Sequence, residues 1–393
     1  MAYTKVTRQS WLSRIGGAIK GVFFGIILVV VAFPLLFINE GRAVRRHKTL
    51  KEGAGMAVTI SPDNVDSSYN GQLVHVTGFA TTEEELSDRE FGVSVNAIHL
   101  KRDVEMYQWR ETSKTETRTR TGGSQERITT YTYDKGWSST LINSDNFAEQ
   151  DPSRINPKTM PYQSREWSAN IVTMGAFRLP SSMVNRISNY TRLDIASDVP
   201  VPEALAGQAT IHDAGYYFGH NPTVPEVGDL RIRFSAVHPT DVSIVAAQAG
   251  NTFETFTTPG TGGTISLLQV GVHSADAMFQ AAQAANRALM WILRLVGFIM
   301  FMVGFTMIFA PMKVVADVLP IMGKVVGAGT GMIALLLSGT LSLFVISIAW
   351  VFYRPLIGIP LLILAVVFAV VAIKKLKEAK APPPPAEAPA QSA

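Results

Sequence analysis

The sequence predicts an α+β membrane protein with four transmembrane helices and a large β-rich domain, built on an antiparallel or mixed sheet, between spans one and two. Two observations support this prediction. Apolar residues are concentrated in four blocks, each close to the ~20 residues that cross a hydrocarbon core. The stretch between the first two blocks is instead rich in Thr, Ser, Asp, Arg and Gly, as in a domain that faces water.

The first span is predicted over residues 21–38, after a cytoplasmic tail of residues 1–20. The tail contains basic residues and no acidic ones: Lys5, Arg8, Arg14 and Lys20. Together with the length of the apolar run and the lack of a clean cleavage site, this charge favours an uncleaved signal anchor. Gly21 and Gly25 form a GxxxG pair, which allows another helix to approach closely and is a candidate contact for self-association.

Residues 39–273 are predicted to form the β-rich domain, because runs of β-branched and aromatic residues are separated by turn residues. The strand candidates are residues 73–76, 93–100, 104–109, 128–133, 230–234, 242–247 and 265–272. Residues 112–127, dense in Thr, Arg, Glu and Gly, indicate a long exposed hairpin or a mobile loop. The sequences at the starts of two predicted strands, residues 71–75 and 228–232, are similar and suggest two related subdomains.

A stalk helix that continues into span two is predicted over residues 274–309. Ser274 is a suitable N-cap, and polar residues recur at helical spacing before the chain turns apolar at Leu289. Arg294 lies about one turn inside this span. We expect its side chain to extend to the interface, with a salt bridge to another helix or a role in transport as alternatives.

The rest of the chain is predicted as a cytoplasmic amphipathic loop (310–324), span three (325–353), a tight turn with span four (354–373) and a disordered Pro/Ala-rich cytoplasmic tail (374–393). A second GxxxG pair, Gly327 and Gly331, lies in span three and is another candidate oligomerisation contact.

Positive charge beside the apolar blocks predicts on which side of the membrane each loop and terminus lies. Lysines follow spans two and four, which places those loops and both termini in the cytoplasm and the β-rich domain on the extracytoplasmic side. The net charge of +4 and its placement suit anionic lipid headgroups better than nucleic acid. The residues predicted at the membrane interface are Arg42, Arg45, Arg46, Lys48, Arg294, Trp350, Tyr353 and Arg354.

No enzymatic motif is apparent. Six His, namely His75, His99, His212, His220, His238 and His273, have no ligand spacing typical of a metal site, and GxSxG, Walker and dinucleotide-binding motifs are absent from the sequence. The absence of Cys excludes disulfides and thiolate chemistry. We therefore predict a protein that is not an enzyme and has no cofactor and no metal.

One strand combines residues that are common in functional sites. Glu105, Tyr107 and Trp109 alternate with Val104 and Met106, so they share one face of a strand. A packing face between strands is favoured over a ligand site, because aromatic residues are common on strands.

Several stretches resemble the transmembrane protein 43 family, also called LUMA. The matching residues include Asn39, Glu40, Gly41 and Arg42 after the first span, Glu105, Tyr107 and Trp109 within 104–109, Glu226, Gly228 and Asp229 within 225–231, and residues 142–144, 146–147, 350 and 352–356. They occur in the family's order and cover most of the chain.

The resemblance implies one span, a large non-cytoplasmic domain and three further spans. For animal members it also implies the endoplasmic reticulum and inner nuclear membrane, self-association, and partnership with nuclear-envelope proteins such as emerin and lamins. The Ala-rich tail and the absence of Cys differ from animal members and favour a bacterial relative, located in the inner membrane and without those partners.

The function predicted is a non-enzymatic membrane scaffold that forms homo-oligomers in the lipid bilayer and organises membrane or envelope proteins. The alternative is a membrane-anchored receptor or hydrolase whose extracytoplasmic domain binds lipid or envelope ligands. That alternative requires a pocket joining Tyr107, Trp109 and a His or carboxylate.

Overall fold

The structure is a computed structural model that describes residues 2–195, 201–360 and 363. The helices are α1 (Trp11–Ala54), α2 (Ser181–Val184), α3 (Ala275–Ala316) and α4 (Pro320–Tyr353), with 3₁₀ turns at Ser67–Tyr69, Ser144–Asn146, Pro152–Arg154 and Glu203–Leu205. Of these, α1, α3 and α4 are long and apolar enough to cross a membrane. Most of the predicted fourth span, residues 354–373, lies outside the described residues.

Helix α1 extends beyond the predicted first span, residues 21–38, at both ends. Residues 2–9 form a strand rather than a tail, and α1 begins directly after Ser10, whose hydroxyl oxygen accepts a hydrogen bond from the Ser13 amide as an N-cap. The helix then continues to Ala54, beyond the predicted boundary at residue 38. The apolar pattern marks only the part of a helix that faces lipid, so it could not reveal these polar extensions.

Helix α3 runs without a break from Ala275 to Ala316, which covers all but the first residue of the predicted stalk and second span. The prediction of a loop over residues 310–324 is wrong, because most of these residues are helical. Its first part belongs to α3, which tolerates Pro311, and α4 begins at Pro320, where a proline suits the first turn of a helix. Only residues 317–319 separate the two helices.

The β-rich part of the described chain contains two larger sheets, in which every pairing is antiparallel except that of β2 (Val58–Thr59) with β3 (Leu73–Thr81). The strands of the eight-stranded sheet are β1 (Ala2–Gln9), β6 (His99–Thr119), β7 (Gln125–Ser138), β8 (Arg165–Ser168), β11 (Thr191–Leu193), β12 (Thr210–His212), β13 (Gly215–Phe218) and β14 (Leu230–Val237). Their order is β1-β7-β6-β14-β13-β12, with β11 on β14 and β8 on β6.

The seven-stranded sheet has the order β10-β9-β3-β15-β16, with β19 on β15 and β2 on β3. Its strands are β2 (Val58–Thr59), β3 (Leu73–Thr81), β9 (Thr173–Met174), β10 (Phe177–Arg178), β15 (Thr240–Ala249), β16 (Thr252–Glu254) and β19 (Leu267–Val270). Two separate hairpins pair β4 (Glu85–Asp88) with β5 (Val93–Asn96) and β17 (Phe256–Thr257) with β18 (Thr264–Ile265). All seven predicted strand runs contain strand residues.

The described residues form two compact units. The sheet unit comprises residues of 1–15, 46–286 and 314–323, and the helical unit comprises those of 16–45, 287–313 and 324 onwards. The core of the sheet unit contains side chains from both larger sheets, for example Phe234 and Ile244, which are fully buried. A second cluster packs Leu50 of α1 and Met278 of α3 against Leu73 of β3.

The predicted hairpin around residues 112–127 is confirmed and is longer than expected. Strands β6 and β7 pair continuously from Met106 with Ser138 to Thr119 with Gln125. Strand β1 then pairs with β7, from Ala2 with Thr132 to Gln9 with Gln125. Neighbouring strands lie about 4.8 Å apart, so residues 2–9 and 125–132 are direct neighbours in this structure, whereas the sequence predicts them on opposite sides of the membrane.

The helical unit has a small core of its own, which contains Ala32 and Leu36 of α1, Phe301 of α3 and Val345 of α4. Helices α1 and α3 approach each other closely at Gly25. A Cβ atom at this position would lie 2.6 Å from the carbonyl oxygen of Gly304. The absence of a side chain therefore allows the backbones of α1 and α3 to meet, as small residues do between membrane helices.

We expect Gly25→Leu to destabilise the helical unit by about 1–3 kcal/mol, because the added side chain has no space at the contact with Gly304. The change should appear as a lower midpoint of thermal unfolding in detergent. Gly17→Leu is the matched control, since a Cβ at Gly17 meets nothing within 4 Å. Equal unfolding midpoints for the two variants would contradict the proposed contact.

Candidate functional site

Two consecutive polar residues are buried near the end of the apolar stretch of α1. The exposed fraction is 2% for Asn39 and 0% for Glu40. Ala32, Leu36 and Glu40 are each four residues apart, so the carboxylate lies on the same helix face as the apolar core of the helical unit. Burying a carboxylate is costly unless it is paired, so its partners define the site.

The partner of Glu40 is Arg294 of α3. Arg294 Nε donates to Glu40 Oε1 at 2.6 Å and Nη2 donates to Oε2 at 2.9 Å, which is the two-pronged geometry that makes arginine–carboxylate pairs strong. Trp350 of α4 donates from its indole Nε1 to Glu40 Oε2 at 2.9 Å. One carboxylate therefore connects α1, α3 and α4.

The Arg294 side chain is only 10% exposed and is paired with Glu40, so the salt bridge that the sequence leaves as an alternative is observed, while a position at the membrane interface stays a prediction. Its guanidinium carbon lies 4.6 Å from the ring centre of Trp291 and 5.8 Å from that of Trp350. These aromatic faces add cation–π attraction and cover the charge.

The residues around Glu40 complete the junction of the three helices. Asn39 Nδ2 donates to the carbonyl oxygen of Met290 at 3.0 Å, and Arg42 Nη2 donates to Asn39 Oδ1 at 3.2 Å. Gly41 is required for space, because a Cβ atom there would lie 2.4 Å from the ring of Tyr353. The segment 39–42 and three predicted interface residues, Arg294, Trp350 and Tyr353, thus form one cluster, which we call the ion-pair junction.

The other predicted interface residues have different surroundings. Arg45 and Lys48 are exposed, while Arg46 Nη1 donates to the carbonyl oxygen of Thr264 at 2.6 Å inside the sheet unit. The guanidinium carbon of Arg354 lies 6.0 Å from the ring centre of Trp350, at the edge of the junction.

The two predicted GxxxG pairs also have different surroundings. A Cβ at Gly21 would meet Met307 at 3.8 Å, so the pair of Gly21 and Gly25 contacts α3 of the same chain. A Cβ at Gly327 would meet the Lys313 side chain, and one at Gly331 would meet nothing within 4 Å.

The strand face predicted at Glu105, Tyr107 and Trp109 is half-exposed rather than part of the core. Glu105 Oε2 accepts a hydrogen bond from Arg231 Nε at 2.6 Å, the ring centres of Tyr107 and Trp137 are 5.2 Å apart, and Lys135 Nζ lies 4.9 Å from the Trp109 ring centre. These are contacts between neighbouring strands, which is the packing role that the sequence favoured.

Residues 226–229 form a turn that abuts this face. Asp229 Oδ2 accepts hydrogen bonds from the Glu226 amide at 2.7 Å and from the Tyr217 hydroxyl at 2.5 Å. Gly228 has a φ of +103° and donates its amide to the Tyr107 carbonyl oxygen at 2.9 Å. Burial, together with the hydrogen bond to the Asp229 carboxylate, raises the pKa of Tyr217.

A cavity of about 190 Å³ lies next to this turn. It is lined by Trp137, His212, Asp213, Tyr216, Tyr217, Pro222, Arg231, Ile232 and Arg233. Two of the charged lining residues are paired with each other: Arg233 Nη2 donates to Asp213 Oδ2 at 2.5 Å, and this bond lowers the pKa of Asp213. None of these described lining residues is a Ser, Thr or Cys nucleophile, and no group of three or more metal-ligating side chains occurs among the described residues.

Comparison with known proteins decides the family. The family model for transmembrane protein 43 matches residues 106–355. Transmembrane protein 43 of Homo sapiens is 31% identical over 381 residues, which cover 93% of this chain and 92% of the relative. The chain belongs to the transmembrane protein 43 family. It is therefore a membrane protein, and it resides in a lipid bilayer.

Other members of the transmembrane protein 43 family are similar along most of their length. The protein of Mus musculus is 31% identical over 372 residues, 90% of each chain, and the homologue of Drosophila melanogaster is 27% identical over 347 residues, 86% of this chain and 90% of its own. These relatives are animal proteins and give no support to the bacterial origin inferred from the tail and the lack of Cys. No solved structure matches the chain.

Sequence reasoning identified most members of the ion-pair junction but missed their association. The sequence marks Glu40 only as part of a family stretch and offers a salt bridge to another helix as one alternative for Arg294, without identifying the partner. The missed signal lies in the placement of the two charges: Glu40 ends one apolar block, and Arg294 lies within another. Burying either charge alone costs free energy, and pairing the two charges offsets that cost.

We expect Glu40→Gln to destabilise the helical unit by about 3–5 kcal/mol, because it leaves the buried Arg294 without its counter-charge. Arg294→Gln should cost a similar amount, and the double variant should recover much of the loss. A double-mutant cycle on thermal unfolding in nanodiscs measures this coupling.

Lys158→Gln with Asp145→Asn is the control pair, since both side chains are 63% exposed and surface pairs contribute only about 0–1 kcal/mol. Additive effects of Glu40→Gln and Arg294→Gln would refute a coupled pair.

Proposed function

We propose that this protein is a non-enzymatic, multi-pass membrane scaffold that self-associates and organises membrane or envelope structure and partner proteins. The ion-pair junction is the observation that supports this most strongly. Glu40 is fully buried, and its two oxygens accept from Arg294 and Trp350. A carboxylate in that state has no access to a substrate, so its role is to fix helices.

The course of the helices supports the same function. Both α1 and α3 contribute residues to the helical unit and to the sheet unit, and neither contains a linker between the two parts. Leu50 of α1 and Met278 of α3, both fully buried, anchor these helices in the second core cluster of the sheet unit. Two continuous helices, rather than a flexible linker, suit a protein that holds a domain at a membrane.

Self-association would use the face of α4 around Gly331. A Cβ at Gly331 meets nothing within 4 Å, and the neighbouring Met332, Leu335 and Leu336 are exposed. A small residue flanked by exposed apolar side chains allows the close approach of a second helix. By resemblance to animal members, we propose the endoplasmic reticulum and inner nuclear membrane as the compartment and nuclear-envelope proteins as partners.

We expect Gly331→Leu to reduce chemical crosslinking and the oligomer signal in native mass spectrometry at least severalfold, while the unfolding midpoint stays unchanged because the added side chain clashes with nothing in its own chain. Gly329→Leu is the matched control, since Gly329 is equally open but two residues away and hence on another helix face. A monomeric wild-type protein, or oligomers unaffected by Gly331→Leu, would argue against this face.

A second candidate function is a receptor for a small ligand, which the cavity near Tyr217 favours. Trp137 and Tyr217 provide aromatic surface, and His212, Arg231 and Arg233 provide donors to an anionic group. At about 190 Å³ the cavity suits a compact group such as a phosphorylated headgroup. The lack of a nucleophile among its described lining residues disfavours the hydrolase alternative.

If the receptor function holds, glycerol 3-phosphate should raise the unfolding midpoint of the full-length protein in proportion to ligand concentration. Arg231→Gln should abolish the shift, because Arg231 lines the cavity, whereas Arg165→Gln, outside it, should retain the shift. No shift with either glycerol 3-phosphate or inorganic phosphate would leave the scaffold as the better proposal.

A further inference from the structure

Two arginines of the sheet unit donate to carbonyl oxygens of the same short segment. Arg46 of α1 donates from Nη1 to the Thr264 carbonyl oxygen at 2.6 Å. Arg186, two residues after α2, donates from Nη1 to the Ser266 carbonyl oxygen at 3.1 Å. Thr264 belongs to β18, and Ser266 lies between β18 and β19. The two acceptors are therefore two residues apart along the chain.

The direction of the backbone places both contacts on one edge of this segment. The Thr258 amide donates to the Gly263 carbonyl oxygen at 2.8 Å, so the Gly263 carbonyl faces β17. Successive residues of an antiparallel strand direct their carbonyl groups to opposite edges, so those of Thr264 and Ser266 share the edge away from β17. With a rise of ~3.3 Å per residue, their oxygens lie ~7 Å apart. The two guanidinium groups are therefore held beside each other.

The charges of the two arginines are not compensated within the described part of the chain. Neither side chain forms an ion pair with a carboxylate there. Glu52 of the same helix α1 instead accepts hydrogen bonds from the amides of Gly260 and Thr261. Partial burial lowers the pKa of Arg186, as it does for a cation that loses water without gaining a counter-charge. The carbonyl oxygens therefore orient the guanidinium groups but do not neutralise them.

We propose that Arg46 and Arg186 together bind a phosphate group. A guanidinium group has five N–H donors, and each carbonyl contact described above uses one of them. The remaining donors form a planar fork that matches pairs of phosphate oxygens with two parallel hydrogen bonds. A doubly charged anion also offsets the repulsion between the two cations. The site is separate from the cavity near Tyr217, whose lining contains neither arginine.

Chemical modification of arginine tests the site directly. The full-length protein in detergent is treated with phenylglyoxal, with and without inorganic phosphate at constant ionic strength, and the modified residues are mapped by mass spectrometry. We expect phosphate to slow the modification of Arg46 and Arg186 at least severalfold, because bound phosphate covers their N–H donors.

Arg178 is the matched control for this measurement. It is exposed and also donates to a carbonyl oxygen, that of Asn170, at 3.4 Å. Equal protection of Arg178 by phosphate, or equal protection of Arg46 and Arg186 by chloride, would overturn the proposal, since either result reports general screening of charge.

The two arginines should behave as one site. In Arg186→Gln, phosphate should no longer protect Arg46, although Arg46 itself is unchanged, and Arg46→Gln should likewise remove the protection of Arg186. Arg178→Gln should leave both protected. Unchanged protection of the remaining arginine in either variant would show two independent contacts and overturn the shared site. Unfolding midpoints measured without phosphate establish that each variant is folded, and Arg46→Lys replaces Arg46→Gln if the latter does not fold.

The phosphate group can belong to a soluble ester or to a lipid headgroup, and nanodiscs distinguish these sources. Protection of Arg46 and Arg186 in nanodiscs that contain phosphatidic acid, but not in those of phosphatidylcholine alone, would support the site and identify a lipid headgroup. Protection by dissolved inorganic phosphate alone would support the site and identify a soluble phosphate ester. Absence of protection by either source would overturn the proposal.

Discussion

The helical unit depends on one buried charge that cannot remain alone. A carboxylate without partners in an apolar surrounding would cost several kcal/mol, so Glu40 restricts the helices to arrangements in which Arg294 and Trp350 reach it. Apolar contacts between membrane helices do not provide such restriction, because lipid tails satisfy an apolar side chain equally well. The ion pair therefore contributes specificity to a group of helices that hydrophobicity alone would leave free to rotate.

The same constraint explains the residues next to the ion pair. Asn39 is buried and bonds to the Met290 carbonyl of α3, and Gly41 leaves room for the Tyr353 ring of α4. Gly25 brings α1 and α3 together about four turns further towards the N terminus of α1. Close packing at one point and ion pairing at another fix two helices along their length, which is consistent with a structural role.

A second buried ion pair, between Arg14 and Asp317, has the corresponding role in the sheet unit. It joins the start of α1 to the link between α3 and α4, next to the tip of the β6–β7 hairpin. Each of the two pairs connects segments that are distant in sequence. The two units therefore use the same physical device, since a buried charge has few acceptable partners whereas an apolar side chain has many.

The sequence by itself determined the apolar blocks, the sheet-rich stretch between them, the continuous stalk helix and the hairpin near residue 120, because each follows from local composition and periodicity. It also marked the polar residues of the junction. Only the tertiary structure decided that Glu40 and Arg294 are partners, that residues 2–9 join β7 and that Gly25 meets α3. These contacts link residues far apart in the chain, and the free energy of a buried charge or a strand edge depends on what lies beside it in space.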